Sequence, residues 1–390
     1  MRIGIFTDSY KPYIGGVVRS IEIFTEELRN LGHKVTIYAP NYPGVDKEKD
    51  VFRFPAIPTP TYKGFYLAIP FATGLEHFLE QNLPDVIHVH SPFMLGRLGA
   101  RVAKKLGVPL VFTFHTLYDQ YTHYVPFARE LSKGITRKMC VDFCNRCDLV
   151  ITPTENISNH IRNMGVKSNV KWLPTGIQLD EFAGVDRAWL RQTYGLGDDE
   201  IILLSVGRTG KEKNIPFLLD CFAEVRKRYP NTKLVLVGEG PELENLKKYA
   251  RNLGLTNHVI FTGKLTRDDL IKAYGGADLF IFGSMTETQG IVIAEAKAAG
   301  LPVVAVNAYG VANMVVDGED GFLVSPELHS FVDKMILLIE DIALRKRMSE
   351  RALINVQQLS SRKCAEKLIT YYECLLSDSN SVKVQVKAQK

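Results

Sequence analysis

Long apolar runs, cysteine and net charge are what this sequence has little of. None of its 390 residues lie in a run near the roughly 18 apolar residues that span a bilayer, which argues against an integral membrane protein. The opening Met1-Arg-Ile-Gly-Ile-Phe passes straight into a strand pattern without the apolar region of a secretory leader, so a cytoplasmic protein is expected. Six cysteines in such a chain read as free thiols, not a disulfide framework. Neither half carries G-x-G-x-x-G after its first strand, which disfavours a nicotinamide dehydrogenase, and no Walker lysine motif suggests a P-loop hydrolase. No Asp-x-Asp pair occurs to hold a divalent ion. A net charge of +5 is too mild to imply nucleic-acid binding.

What remains is an ordinary globular composition, 46% hydrophobic and 23% charged, in a chain too long for one core. Two domains of roughly 150–200 residues are expected. The charge is uneven. Residues 1–175 hold 21 basic and 15 acidic side chains, a net +6, and the remainder nets −1. Cys140, Cys144 and Cys147 form C-x3-C-x2-C, a spacing also used to hold iron–sulfur clusters. Their offsets of 4 and 7 inside a helical stretch at 128–146 place all three on one helical face, as small buried thiols would be.

Short β-branched runs alternate with helical stretches. Strands are expected at 2–7, 34–39, 86–90, 110–114, 149–152 and 171–173. After a breaker-rich stretch at 174–200 the rhythm restarts, with strands at 201–206, 233–237, 259–262, 279–282 and 303–305. Helices near 215–228, 242–253, 267–274 and 291–299 separate them. Each half reads as an α/β domain with a doubly wound parallel sheet, which takes ligands at the carboxyl ends of its strands. Two such domains are expected to face a cleft, the default active site. The boundaries expected are 1–175 and 176–360, a helix at 361–377 returning toward the first domain, and a disordered tail at 378–390.

Chemistry-bearing residues cluster after particular strands. Arg208 and Lys213 follow the first strand of the second half, in a loop entering a helix, where two cations suit a diphosphate. A solvated loop pair is the competing reading. Glu287 precedes the glycine turn Thr288-Gln289-Gly290, and backbone N–H groups at Gln289, Gly290 and Ile291 open the next helix as donors for an anion. Glu295 sits inside that otherwise apolar helix, a poor choice unless hydrogen-bonded. Sugar or ribose hydroxyls would satisfy it, and so would a buried salt bridge.

Glu287-x7-Glu295, with Gly207-Arg208-x4-Lys213 upstream and Gly15-Gly16 near the start, resembles the retaining glycosyltransferases of family 4, which have GT-B architecture. Asp85-Val-Ile-His-Val-His90, Val237-Gly-Glu-Gly-Pro241 and Ala298-Ala-Gly-Leu-Pro-Val303 match further segments, and the resemblance covers about residues 1–375. One departure follows Gly310, where many members carry a glutamate before a Val pair; here the run is Val311-Ala-Asn313-Met, and Asn313 is assigned no catalytic task. The resemblance implies that Arg208 and Lys213 hold the donor diphosphate, Glu287 contacts the transferred sugar and Glu295 the ribose diol. Thr288 to Ile291 would donate from the backbone, Gly16 would admit the phosphates closely, and His115 would lie beside the sugar. It also implies same-face attack with retention, in which the departing phosphate helps deprotonate the acceptor. No metal is required on this reading, Mg2+ being at most a non-essential stimulant.

The loop at 113–126 and Glu287-Thr-Gln-Gly290 resemble segments of bacterial 1,2-diacylglycerol 3-glucosyltransferases. Tyr118, Tyr121 and Tyr124 recur every third residue, which suits either a lipid–water boundary or a loop packed over the first domain. In the following helix Phe127, Leu131, Ile135, Met139 and Phe143 form an apolar row, with Arg129, Lys133 and Arg137 about 200° away. A basic amphipathic helix suits an anionic membrane surface, and equally a solvated face over a buried one. The expected activity is α-glucosyl transfer from UDP-glucose to diacylglycerol at the inner face of the cell membrane, without nucleic acid. The alternatives are the same donor chemistry on a sugar phosphate or inositol lipid, and a nucleotide-sugar-binding protein without turnover. Both glutamates and both cations argue against the last.

Overall fold

The apolar run that opens the chain becomes β1 (Arg2–Phe6), buried beyond its first residue as a central parallel strand must be. The computed structural model describes residues 1–59, 64–118 and 129–388, with side chains at all of these except 129–133 and 379–388. The chain divides into two units, Met1–Gly176 with Ser361–Lys390, and Ile177–Ser360.

In the first unit β1 is followed by α1 (Gly16–Asn30), β2 (Lys34–Pro40), β3 (Val51–Phe54) and a small antiparallel pair, β4 (Ala56–Pro58) with β5 (Tyr66–Ala68). Then come α2 (Leu75–Gln81), β6 (Val86–Val89), α3 (Met94–Leu106), β7 (Leu110–Thr113), α4 (Arg129–Cys144), β8 (Leu149–Thr152), α5 (Glu155–Asn163) and β9 (Val170–Trp172). Seven strands form a parallel sheet in the order β3-β2-β1-β6-β7-β8-β9. The order reverses between β1 and β6, which makes the carboxyl ends of those strands this unit's switch point.

The second unit runs through α6 (Trp189–Tyr194), β10 (Ile201–Val206), α7 (Ile215–Arg228), β11 (Thr232–Val237), α8 (Leu243–Asn252), β12 (Val259–Gly263) and α9 (Arg267–Gly276). It continues with β13 (Leu279–Phe282), α10 (Ile291–Ala298), β14 (Val303–Val306), β15 (Gly321–Val324), α11 (Leu328–Glu340) and α12 (Ile342–Asn355). Its sheet order is β12-β11-β10-β13-β14-β15, with the switch point between β10 and β13. Leu203 packs on one face of this sheet, and Ile202 and Leu204 on the other, so alternation along β10 serves two cores.

The last helix, α13 (Ser361–Ala388), rejoins the first unit. Its Cys364, Ala365, Leu368 and Tyr372 complete the core built on Ile3, Ile5, Ile21 and Leu28. Two expectations need correcting. The helix runs on over 378–388, where a disordered tail was expected; no Gly or Pro interrupts the sequence there. Strands β3, β4, β5 and β15 are not among those expected: β3, β4 and β5 are only partly buried and lack a continuous apolar run, with Arg53 in β3 and Pro58 in β4, and β15 opens on Gly321.

Helix α4 sharpens two more. Cys140, Cys144 and Cys147 are buried free thiols, and burial pushes Cys144 up to about 12 and Cys147 well above the ordinary thiol value. They are packing side chains. The apolar row is not one buried face, however: Phe143 is 3% exposed and Ile135 62% exposed. Four-residue steps advance about 400°, so the row drifts about 40° per step around the helix. Phe127 lies outside the described residues.

Candidate functional site

At the switch point of the second unit two loops meet. The one after β10 begins at Gly207 and passes through the short 3-10 turn Lys211–Lys213 before α7. The one after β11 begins at Gly238, where a Cβ would lie 2.0 Å from the Gly207 carbonyl oxygen, so glycine is required for the backbones to approach. Thr209 N–H donates to the Glu239 carbonyl at 3.0 Å and ties the loops together. Lys213, the cation expected at the diphosphate, forms an ion pair with the Glu287 carboxylate, delivered by the loop after β13. Ser284 Oγ sits 3.0 Å from Glu287 Oε1 and 3.1 Å from the Glu212 carbonyl oxygen. Arg208 lies 3.7 Å from Glu212 Oε1. The topology thus gathers Arg208, Lys213 and Glu287 at one strand-end crevice, with Ser284 and Glu212 as supports that no motif marked.

The chain from Glu287 to Ile291 is held from below. Gly310 N–H donates to the Glu287 carbonyl at 2.9 Å, and a Cβ at Gly310 would fall 1.9 Å from the Thr288 oxygen. Gly290 takes φ +79 and Ile291 starts α10, so Thr288, Gln289, Gly290 and Ile291 lie at the N-terminal end of a helix, where first-turn N–H groups lack an i−4 carbonyl. Glu295, one turn in, is buried: Arg267 Nη1 donates to its Oε1 at 2.5 Å and the Tyr274 hydroxyl to its Oε2 at 3.0 Å. Arg267 also donates to Glu181 at 2.5 Å. Burial disfavours the Arg267 charge, but Glu295 and Glu181 outweigh it and raise the guanidinium above its ordinary value. Of the two ways to satisfy Glu295, the structure supplies the ion pair. The demand for a partner was legible in the sequence; its identity, 28 residues away on α9, was not.

At the switch point of the first unit, Gly16 is the first residue of α1, and a Cβ built there meets nothing within 4 Å. Internal packing therefore gives no reason for glycine at this position. Asp8, past β1, accepts from Ser91 Oγ and from Leu95 N–H at 3.0 Å, and so fixes the entry to α3. Burial raises its carboxyl above the ordinary range. His115, just past β7, shares a 2.8 Å hydrogen bond with His90, just past β6. His88 lies between Tyr372 Oη and Thr113 Oγ1, each at 2.6 Å, and stacks on His90. Burial lowers His88 and His115 to about 3, so the rings are neutral.

Tyr118 packs edge-on against Phe93 and Phe114, at 5.1 and 6.0 Å between ring centres, which is the packed arrangement for this tyrosine. Tyr121 and Tyr124 lie outside the described residues. Arg129 and Lys133 belong to the backbone of α4, but their side chains lie outside the description. Arg137 is exposed and donates to the Asn163 carbonyl at 3.3 Å. Ile135, Lys138, Met139 and Arg146, with Arg97 of α3, border a groove of about 380 Å³. Among the described residues no helix is long and apolar enough to cross a membrane.

Residues 14–181 match glycosyltransferase family 4, and residues 186–355 match the glycosyl transferases group 1. The chain is 35% identical over 331 residues to the alpha-monoglucosyldiacylglycerol synthase of Streptococcus pneumoniae, an alignment covering 83% of this chain and 75% of that protein. The chain belongs to the family-4 glycosyltransferases. A synthase of the same name from Acholeplasma laidlawii is 31% identical over 99% of this chain and 100% of its own. Among solved structures, HepE of Anabaena in complex with UDP and glucose gives a TM-score of 0.77 at 21% identity, over 96% of this chain and 100% of that one. That likeness shows the GT-B fold, in accord with the two parallel-sheet units. For a glycosyltransferase the chemistry of the second unit is apt. Lys213 and Arg208 bring two cations to one strand-end crevice, beside a Glu287 carboxylate able to accept hydrogen bonds.

Proposed function

We propose that this glycosyltransferase moves glucose from UDP-glucose to diacylglycerol with retention, forming an α-linked glucosyl lipid. The observation that carries the reading is the 35% identity, over 83% of the chain, to a protein named for that lipid product. The site chemistry accords with it. Breaking the anomeric bond leaves negative charge on the diphosphate and positive charge on the ring. Lys213, held by Glu287 when no donor is bound, exchanges that carboxylate for the phosphate oxygens as charge builds. One such preorganised donor is worth about 3–4 kcal/mol at the transition state. Glu287, released from the ammonium, accepts from sugar hydroxyls. Glu295 contacts the ribose diol through whatever capacity its carboxylate retains beside Arg267 and Tyr274. The departing phosphate takes the acceptor proton on the same face. Two cations then meet the leaving charge without a required metal ion, and Mg2+ is at most a non-essential stimulant.

The acceptor is a membrane lipid and the enzyme meets it peripherally, at the cytoplasmic face. Support comes from the net +6 of residues 1–175 and from α4, which presents Arg137, Lys138 and Ile135 outward. The deciding experiment offers the purified enzyme radiolabelled UDP-glucose, UDP-galactose or GDP-mannose, with detergent-dispersed diacylglycerol or a soluble acceptor. Glucosyl-diacylglycerol from UDP-glucose is the expected product. Label transferred only to a soluble acceptor, or no lipid-dependent release of UDP, overturns the proposal.

A further inference from the structure

The run Asp85-Val-Ile-His-Val-His90 contributes two histidines that the transfer chemistry leaves unused, and their geometry settles a question about a third. His90 Nδ1 and His115 Nε2 are 2.8 Å apart, so one nitrogen carries the proton and the other accepts it. His90 is buried, and among the described residues its other nitrogen, Nε2, has no hydrogen-bond partner. If His115 donated, His90 would have to carry its own proton on Nε2, leaving a buried N–H without an acceptor. If His90 donates from Nδ1, the orphan on Nε2 is only a lone pair. Orphaned buried N–H groups are the rarer and less favourable case. His88, fixed at both nitrogens by Tyr372 and Thr113, stacks on His90 at 4.3 Å between ring centres and sets the plane from which it donates.

We infer that His90 is a positioning residue: its Nδ1–H donates to His115 Nε2 and fixes His115 as the Nδ1–H tautomer. His115 is then an N–H donor and not a base. It hydrogen-bonds an oxygen of the sugar or of the leaving group, and the acceptor's proton goes elsewhere, to the departing phosphate. The second half of this statement rests on the proposed place of His115 beside the sugar; the tautomer does not.

Long-range 1H–15N spectra of the full chain, with ring nitrogens labelled and His115 assigned by its substitution, read the tautomer directly. Wild-type protein is expected to show His115 protonated on Nδ1; an Nε2–H pattern or an averaged pair of nitrogens overturns the inference. In His90→Leu the donor is gone, so His115 leaves that tautomer and turnover falls about 10- to 100-fold through lost orientation. His90→Asn, whose amide nitrogen falls near the place of Nδ1, restores the tautomer and recovers part of the turnover. An unchanged His115 spectrum in His90→Leu refutes the positioning role. Full turnover in His115→Ala, with the wild-type spectrum as expected, would remove His115 from the site while leaving the tautomer assignment intact.

Discussion

Lys213 and Glu287 stand 74 positions apart in the sequence and form one ion pair at the switch point of the second unit. In the proposed transfer the cation and the carboxylate act separately, and the pair keeps each placed until a donor arrives. Lys213→Ala is expected to lower kcat on the order of 100-fold or more. Glu287→Ala also lowers it, and the double variant loses less than the product of the two, because residues in one ion pair are not independent. Steady-state kinetics on the four proteins give the coupling. Near-wild-type turnover in Lys213→Ala would take the lysine out of the mechanism.

Lys297 on α10 and Asp320 before β15 form a second pair at 2.6 Å, with side chains 4% and 0% exposed. Lys297 also donates to the Met314 carbonyl at 2.9 Å, and Asn355 donates to Asp320 at 2.8 Å. Lys297→Met leaves a buried carboxylate without its cation and is expected to destabilise the enzyme by about 3–5 kcal/mol. Urea unfolding followed by fluorescence and circular dichroism tests this; a midpoint equal to wild type contradicts it.

The neutral histidines make stability depend on pH. His88 and His115 are lowered by burial to about 3, against an ordinary value of 6.5. Between those values the unfolded chain binds protons that the folded one refuses, so stability is intact above pH 6.5 and is lost progressively toward pH 3. Going from pH 7 to pH 5 is expected to remove about 2 kcal/mol for each such histidine. Urea midpoints at the two pH values measure the loss, and His88→Asn should flatten the dependence by one histidine's share. An equal pH dependence in that variant would show that His88 is not one of the groups responsible.

Replacing Arg129, Lys133 and Arg137 together by Gln should weaken binding to anionic vesicles. Each basic residue near such a surface contributes about 1 kcal/mol, so three predict a loss on the order of 100-fold. Vesicle sedimentation measures it, and UDP affinity should stay unchanged. If vesicle binding survives intact, α4 is a solvated basic face over a packed one.

On the proposed mechanism Arg208 and Lys213 meet the leaving diphosphate without a metal ion, so excess EDTA is expected to leave turnover within about twofold of the metal-supplemented rate. Abolished turnover that Mg2+ restores would assign the charge to a metal ion instead.

Much of this was legible because it is local. Apolar runs of the right length became β1, β6, β10 and β13, and the glycines that allow tight strand-to-helix turns marked where the cations and glutamates belong. Spacing also placed Cys140 and Cys144 on one buried helical face; Cys147 is buried too, but in the bend after α4 ends at Cys144. Residues 378–388 and the apolar row of α4 were misjudged for equally physical reasons. Polar composition does not stop a helix that lacks breakers, and four-residue spacing drifts around one.

Local pattern alone was enough for two doubly wound units, for the family, for the loops that carry Arg208, Lys213 and Glu287, and for Glu295 inside the helix that follows. Partners were beyond it. Glu295 required some compensation, and only the fold chose Arg267 and Tyr274 over a free carboxylate. His90 and His115 are 25 positions apart, and only the parallel pairing of β6 with β7 sets His90 Nδ1 2.8 Å from His115 Nε2. Periodicity records what a residue does to its neighbours along the chain. Hydrogen bonds and ion pairs between distant residues depend on strand order and register, which no local pattern encodes.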